Sequence, residues 1–125
     1  MLTPREVAES YWRAECARDV EAVLGHYTED ATFAAPGWSL RGHDEIRLFY
    51  EASGLQFPGL EVDIVSETHG TDGSVVFEWV AVLIDPLRVR FPLRGVNLVT
   101  LRDGQFTGVR AYFDTSTLGG GLAPL

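Results

Sequence analysis

Cysteine is almost missing from this sequence: Cys16 is the only one in 125 residues, so no internal disulfide can form. Metal and redox sites need clustered thiols or imidazoles, and His26, His43 and His69 have no ligand spacing to one another. No stretch approaches the roughly 18 apolar residues of a membrane span. No basic segment leads an apolar run near the N-terminus, as an export signal requires. Positive charge is scarce as well: 18 acidic against 10 basic residues leave a formal charge of −8, a field that repels phosphate backbones and anionic lipid. The expectation is a cytoplasmic protein with no metal and no cofactor, whose partners include neither nucleic acid nor membrane.

What is present is a 46% hydrophobic chain of a length suited to one compact domain with one core. Thr3-Pro4-Arg5-Glu6 combines an N-cap threonine, a proline at the first helical position and a glutamate three residues after the cap, so a helix starts there. Val7, Tyr11, Ala14 and Ala17 follow at spacings of three and four and predict one apolar stripe running to about Arg18. Asp19 caps a second helix over Val20 to Tyr27, with Val20, Val23, Leu24 and Tyr27 inward. Asp30 to Ala34 reads as a short strand, Pro36-Gly37 breaks it, and Gly42 introduces a third helix with Ile46, Phe49 and Tyr50 on one side.

From Leu60 the period changes to two. Leu60 to Thr68, Ser74 to Ile84, Arg88 to Thr100 and Gln105 to Phe113 are rich in β-branched and aromatic residues and are separated by Gly70 to Gly73, Asp85-Pro86 and Asp103-Gly104. Strands joined by turns this short must run antiparallel, since parallel neighbours need crossovers of a dozen residues or more. Helices first and strands afterwards imply an α+β domain. Residues 116–125, with Gly119, Gly120, Gly121 and Pro124, have little to anchor them and read as a flexible tail.

This order, with the strings YWRAECARDVEAVLGHYTEDATF from Tyr11, RGHDEIRLFYE from Arg41 and RGVNLVTLRDGQFTGVRAYFD from Arg94, resembles the nuclear transport factor 2-like superfamily. Within it the resemblance is to ketosteroid isomerases, limonene epoxide hydrolases and SnoaL-like polyketide cyclases. It covers nearly the whole chain and implies a cone over residues 1–115: three N-terminal helices packed on a curved, mostly antiparallel sheet that encloses one apolar pocket. The strings are specific for fold and weak for function, because one fold hosts many activities.

The resemblance places Tyr11 where the isomerases have a tyrosine that donates to a developing dienolate oxygen. Asn97 stands where they hold a protonated aspartic acid, and a carboxamide NH₂ is also a donor. Their general-base position is Ala35, which carries no proton, and loss of a proton shuttle forfeits roughly 10²–10⁴ in rate. Trp79, Ala81 and Ala111 occupy the positions of the epoxide hydrolases' Asp-Arg-Asp set, so that activity is rejected. Asp114-Thr115 is similar to the acid/base aspartate and following threonine of SnoaL-like cyclases. Strand parity, however, puts Val109, Ala111 and Phe113 toward the pocket and Arg110, Tyr112 and Asp114 away from it.

Each candidate has a structural alternative: Tyr11 as a core tyrosine, Asn97 bonded only to backbone, Asp114 paired with Arg110 or Arg102. Phe33, Trp38, Phe49, Trp79, Ala111 and Phe113 are the expected pocket wall, which in this fold is also the core. Two functional readings result. One is an isomerase- or cyclase-like enzyme that binds a small hydrophobic cyclic ligand and stabilises an enolate-like oxygen with Tyr11 and Asn97. The other is a non-catalytic ligand-binding or dimerisation domain. Val76, Val80 and Val82 give the outer sheet face apolar character, and a homodimer is expected from it.

Overall fold

The opening threonine of α1 (Pro4–Cys16) fixes where the chain begins to coil. Its Oγ1 accepts from the Glu6 N–H at 3.1 Å and its own N–H donates to the Glu6 carboxylate at 2.9 Å, a reciprocal capping box. The computed structural model describes residues 2–116, with elements α1, α2 (Val20–Leu24), β1 (Tyr27–Ala35), β2 (Trp38–Arg41), α3 (Gly42–Gln56), β3 (Gly59–His69), β4 (Val75–Ile84), β5 (Arg90–Arg102) and β6 (Gln105–Phe113). Apart from Ser116, the tail expected over 116–125 lies outside the described residues.

The six strands form one sheet in the order β2-β1-β6-β5-β4-β3. Every pairing is antiparallel except β1 with β6, which runs parallel. Register shifts insert extra residues at Val65 on β3, at Thr107 on β6 opposite Thr100 and Leu101, and between Tyr27 and Thr32 on β1. Bulges increase local twist and bend the strand that carries them. The sheet curls, and the helices cover its concave face, which carries Val75, Phe77, Trp79, Ala81 and Leu83 of β4 and Val109 and Ala111 of β6.

Four expectations are corrected. The second helix stops at Leu24, because Gly25 caps it and Tyr27 already pairs with Phe106 as the first residue of β1; Tyr27 is buried all the same. The first strand is nine residues, not five, since the polar run Thr28-Glu29-Asp30 hides its alternation. Pro36-Gly37 does not end the sheet but turns it: Gly37 at φ +84 after a proline suits a type II turn, and β2 folds back on β1 with Ala35 opposite Trp38. Finally, Ala17 is exposed, while the inward face of α1 is Val7, Ala8, Tyr11 and Trp12. At about 100° per residue, position 17 lies about 120° around the helix from Tyr11 and position 15 only about 40°.

Candidate functional site

Helix α1, the second half of α3 and strands β1 and β3 to β6 surround a cavity of about 70 Å³. Tyr11, Phe33, Phe49, Trp79, Asn97, Ala111 and Phe113 line it, together with three polar or aromatic groups the sequence reading passed over, Trp12, Glu15 and Ser53.

Tyr11 enters from α1 and belongs to a buried cluster of phenols. Its hydroxyl lies 2.5 Å from that of Tyr50 on α3, and the Tyr50 hydroxyl lies 2.5 Å from that of Tyr27 on β1. Burial holds all three phenols protonated far above neutral pH. Either hydroxyl of each pair can donate, and three hydroxyl protons serve two bonds; when the order runs Tyr27 to Tyr50 to Tyr11, the Tyr11 proton is left for an acceptor on the cavity side, where Glu15 also bears on it. Each bond in such a chain polarises the next and makes the terminal hydroxyl a better donor.

Asn97 enters from the opposite wall. Its Oδ1 accepts from the Trp79 indole N–H at 3.0 Å, and since an indole can only donate, this bond fixes which end of the amide is oxygen. The NH₂ end has no partner among the described residues and belongs to a side chain that lines the cavity. The sequence makes this geometry with Gly95. Gly95 stands directly across from Trp79 on β5, and a Cβ there would lie 2.8 Å from Trp79 Cζ2, so only glycine lets the indole cross the strand to reach Asn97 two residues on.

Glu15, one helical turn after Tyr11, is half-buried. Burial raises its carboxyl pKa to about 6, with the Arg18 charge and the Tyr11 hydroxyl pulling the other way. Arg18 follows the helix in the left-handed region at φ +56, an uncommon conformation for a side-chain-bearing residue. Its guanidinium is turned onto the end of α3, donating to the Phe57 carbonyl at 2.6 Å and to Ser53 Oγ at 3.4 Å. Neighbouring Cys16 has its thiol pushed up to about 11 by burial and by Glu15, so it stays an unreactive thiol at neutral pH.

Two expected site residues lie elsewhere. Asp114 is exposed and borders an open groove on the outer face of the sheet with Val80, Val82 and Arg94. Its carboxylate accepts from the Ser116 N–H at 2.9 Å, which holds its pKa below the ordinary range. The strand ends without a bulge that would turn it inward, so parity decides its side and removes it from the cavity. Trp38 is buried but does not line the cavity, because β2 lies beyond β1 at the sheet edge and its indole packs edge-on against Phe49 at 5.4 Å. Among the described residues no three His, Cys, Asp or Glu side chains are grouped to hold a metal ion, and no helix is long and apolar enough to cross a membrane.

A family model described as a SnoaL-like domain matches residues 8–109. No curated protein matches the chain by sequence. Solved structures share its fold closely at low identity. TerC co-crystallised with polyporic acid is 20% identical, with 92% of this chain and 94% of that one covered and a TM-score of 0.80. SalBIII, an epoxide hydrolase/cyclase-like enzyme in pyran ring formation in the polyether salinomycin, is 22% identical over 90% and 92%, with a TM-score of 0.78. A hypothetical protein with a ketosteroid isomerase-like fold from Catenulispora acidiphila, in complex with trimethylamine, is 17% identical over 98% and 96%, with a TM-score of 0.81.

Proposed function

The chain belongs to the SnoaL-like domain family, and from that premise we propose that it binds a small, largely apolar cyclic molecule at the Tyr11–Asn97 cavity and stabilises negative charge on one oxygen of that molecule. The observation that carries this reading is the convergence of two donors, the Tyr11 hydroxyl at the end of a phenol chain and the Asn97 NH₂ held by Trp79, on one apolar space. Donors fixed in advance around a developing oxyanion are worth several kcal/mol in a site that excludes water. The polyporic acid co-crystallised with TerC and the pyran ring formation named with SalBIII support the ligand class.

One observation favours the second reading, a binding or dimerisation domain without turnover. A cavity of about 70 Å³ is well below the roughly 300 Å³ at which small-molecule sites begin. A ligand therefore enters only if the half-buried Leu60, Val62, Leu93 and Phe113 part. Under either reading a second copy of the chain covers the outer face, where Val80 and Tyr112 are exposed. Light scattering after size exclusion tests this, and a monomer at micromolar concentration refutes it.

The test of the oxygen-stabilising reading is titration with 4-nitrophenol, an enolate-like oxygen acid whose anion is read by its colour. The protein is expected to bind it as the anion and to lower its apparent pKa. Tyr11→Phe and Asn97→Leu each weaken binding about tenfold, the worth of one hydrogen bond to a charged acceptor. Binding that ignores both substitutions, or no binding at all, overturns the reading.

A further inference from the structure

The cavity has two oxygen-facing donors, but Asp114 lies outside it and Ala35 carries no acid. We infer that Glu15 is the proton carrier of this site, a base supplied by α1 instead of by the first strand; this rests on the oxygen-stabilising reading proposed above.

Three features of the geometry carry the assignment. Glu15 lies about 40° around the helix from Tyr11 and one turn along it, so its carboxyl and the Tyr11 hydroxyl face the same space. Among the described residues that line the cavity it is the only carboxylic acid, in a wall otherwise made mainly of aromatic and aliphatic side chains. A carboxylate in such a wall is an uncommon element, since burial of an ionisable acid costs stability unless something compensates.

The compensation is built in. Arg18, held in a left-handed conformation beside the end of α3, supplies the countercharge. Its two terminal nitrogens are engaged by Phe57 and Ser53, so it stands near Glu15 as a countercharge without a bidentate pairing that would lock the carboxylate. Arg18 Nε is buried with no partner among the described residues. The other titratable groups bearing on Glu15 or on its neighbours are the Tyr11, Tyr27 and Tyr50 phenols, the Cys16 thiol and, on β3, Glu61. Burial lifts the Glu15 pKa to about 6, close to the working pH where a carboxylate is both ionised and basic enough to take a proton.

The step balances within the site. The ionised Glu15 carboxylate removes a proton from a carbon next to a ligand carbonyl. The C–H electron pair becomes the C=C of the enolate, and the carbonyl π pair moves onto its oxygen, where Tyr11 O–H and Asn97 N–H receive the charge. Protonated Glu15 then returns the proton to the same or a conjugated carbon. No oxidant, reductant or co-reactant is consumed.

The probe is cyclopentanone in heavy water, with loss of its α-hydrogens followed by proton NMR, alongside 4-nitrophenol titration on the same samples. Wild-type protein is expected to accelerate exchange with a rate that rises through pH of about 6 and then levels. Glu15→Gln loses exchange by roughly 10²-fold or more, while 4-nitrophenol binding persists. Glu15→Asp, which keeps the acid, recovers part of the rate. Tyr11→Phe lowers both exchange and binding. If Glu15→Gln exchanges at the wild-type rate, or wild type binds 4-nitrophenol and exchanges nothing, Glu15 is not the base and the oxygen-stabilising reading stands alone. If 4-nitrophenol does not bind at all, both fall.

Discussion

Substituting Tyr50 by phenylalanine isolates the worth of the buried phenol cluster. Its hydroxyl is the middle of three: 2.5 Å from Tyr11 on one side and 2.5 Å from Tyr27 on the other, in residues that are 2%, 4% and 0% exposed respectively. Tyr50→Phe removes both close bonds at once and keeps the ring that packs on Phe49 and Phe33. A net hydrogen bond is worth about 1 kcal/mol, and a buried hydroxyl left without a partner costs about 1–3 kcal/mol more. Two bonds and one stranded hydroxyl make the expected loss about 3–5 kcal/mol. Tyr27→Phe removes one bond and leaves Tyr50 bonded to Tyr11, so about 1 kcal/mol is expected. The bond shared by Tyr27 and Tyr50 is lost in either single variant and can be lost only once. The double variant also has no Tyr27 hydroxyl left to strand, so it should be at least about 1 kcal/mol more stable than the sum of the singles implies. Urea unfolding followed by tryptophan fluorescence reads all three. At a mid-range slope of about 2 kcal/mol per molar, Tyr50→Phe moves the midpoint by about 1.5–2.5 M. Equal losses from the two singles, with an additive double, would refute the cluster as a cooperative unit.

Glu15 makes stability fall as pH rises, opposite to the usual carboxylate. Its folded pKa of about 6 exceeds the ordinary 4.5 of a glutamate in the open chain, so the contribution is fully present below about 4.5 and is lost as pH passes through about 6. A difference of about 1.5 at 1.36 kcal/mol each is about 2 kcal/mol. Glu15→Gln should gain on wild type by about that amount between pH 4.5 and 7 in urea titrations, and parallel curves sink the idea. Asp114, Glu21 and Asp72, whose pKa values are depressed, act in the other direction and cancel in the comparison. Gly95→Ala places a Cβ 2.4 Å from the Tyr112 carbonyl oxygen and 2.8 Å from Phe113 Cβ. About 3 kcal/mol or more of destabilisation and a changed near-ultraviolet signal from Trp79 should follow; a wild-type melting point refutes the close approach. Thr3→Ala removes the N-cap acceptor of α1 and should cost about 1 kcal/mol by thermal unfolding, with Thr3→Ser restoring it.

The sheet and its helices were legible because periodicity and turn chemistry state them locally. The capping box at Thr3, the change to period two at Leu60 and the turn at Asp103-Gly104 each need only a few neighbouring residues to be read. The parallel pairing of β1 with β6 needs residues about 80 apart, and nothing local announces it. Tyr11 and Asn97 were found through resemblance, and parity alone pointed Asp114 outward. The phenol cluster was hidden because Tyr11, Tyr27 and Tyr50 come from three separate elements, each of which accounts for its tyrosine as ordinary core. Glu15 was hidden because the stripe was drawn through the apolar positions Ala14 and Ala17, although helical arithmetic puts position 15 nearer to Tyr11. An acid on an inward face is the signal that was there to be read.

The parallel pair β1–β6 has a consequence for how this chain is made. Tyr27, fully buried in the finished domain, faces Phe106, which is synthesised 79 residues later. At about 5–20 residues per second, about 4–16 s separate the two on a ribosome. Through that interval β1 can pair only with β2, and its other edge stays open. The last strand to emerge is the one that joins the N-terminal hairpin to the rest of the sheet. Premature termination before Gln105 therefore leaves two separate antiparallel pieces with two newly unprotected edges, those of β1 and β5, and assembly of the native domain waits on the final dozen described residues.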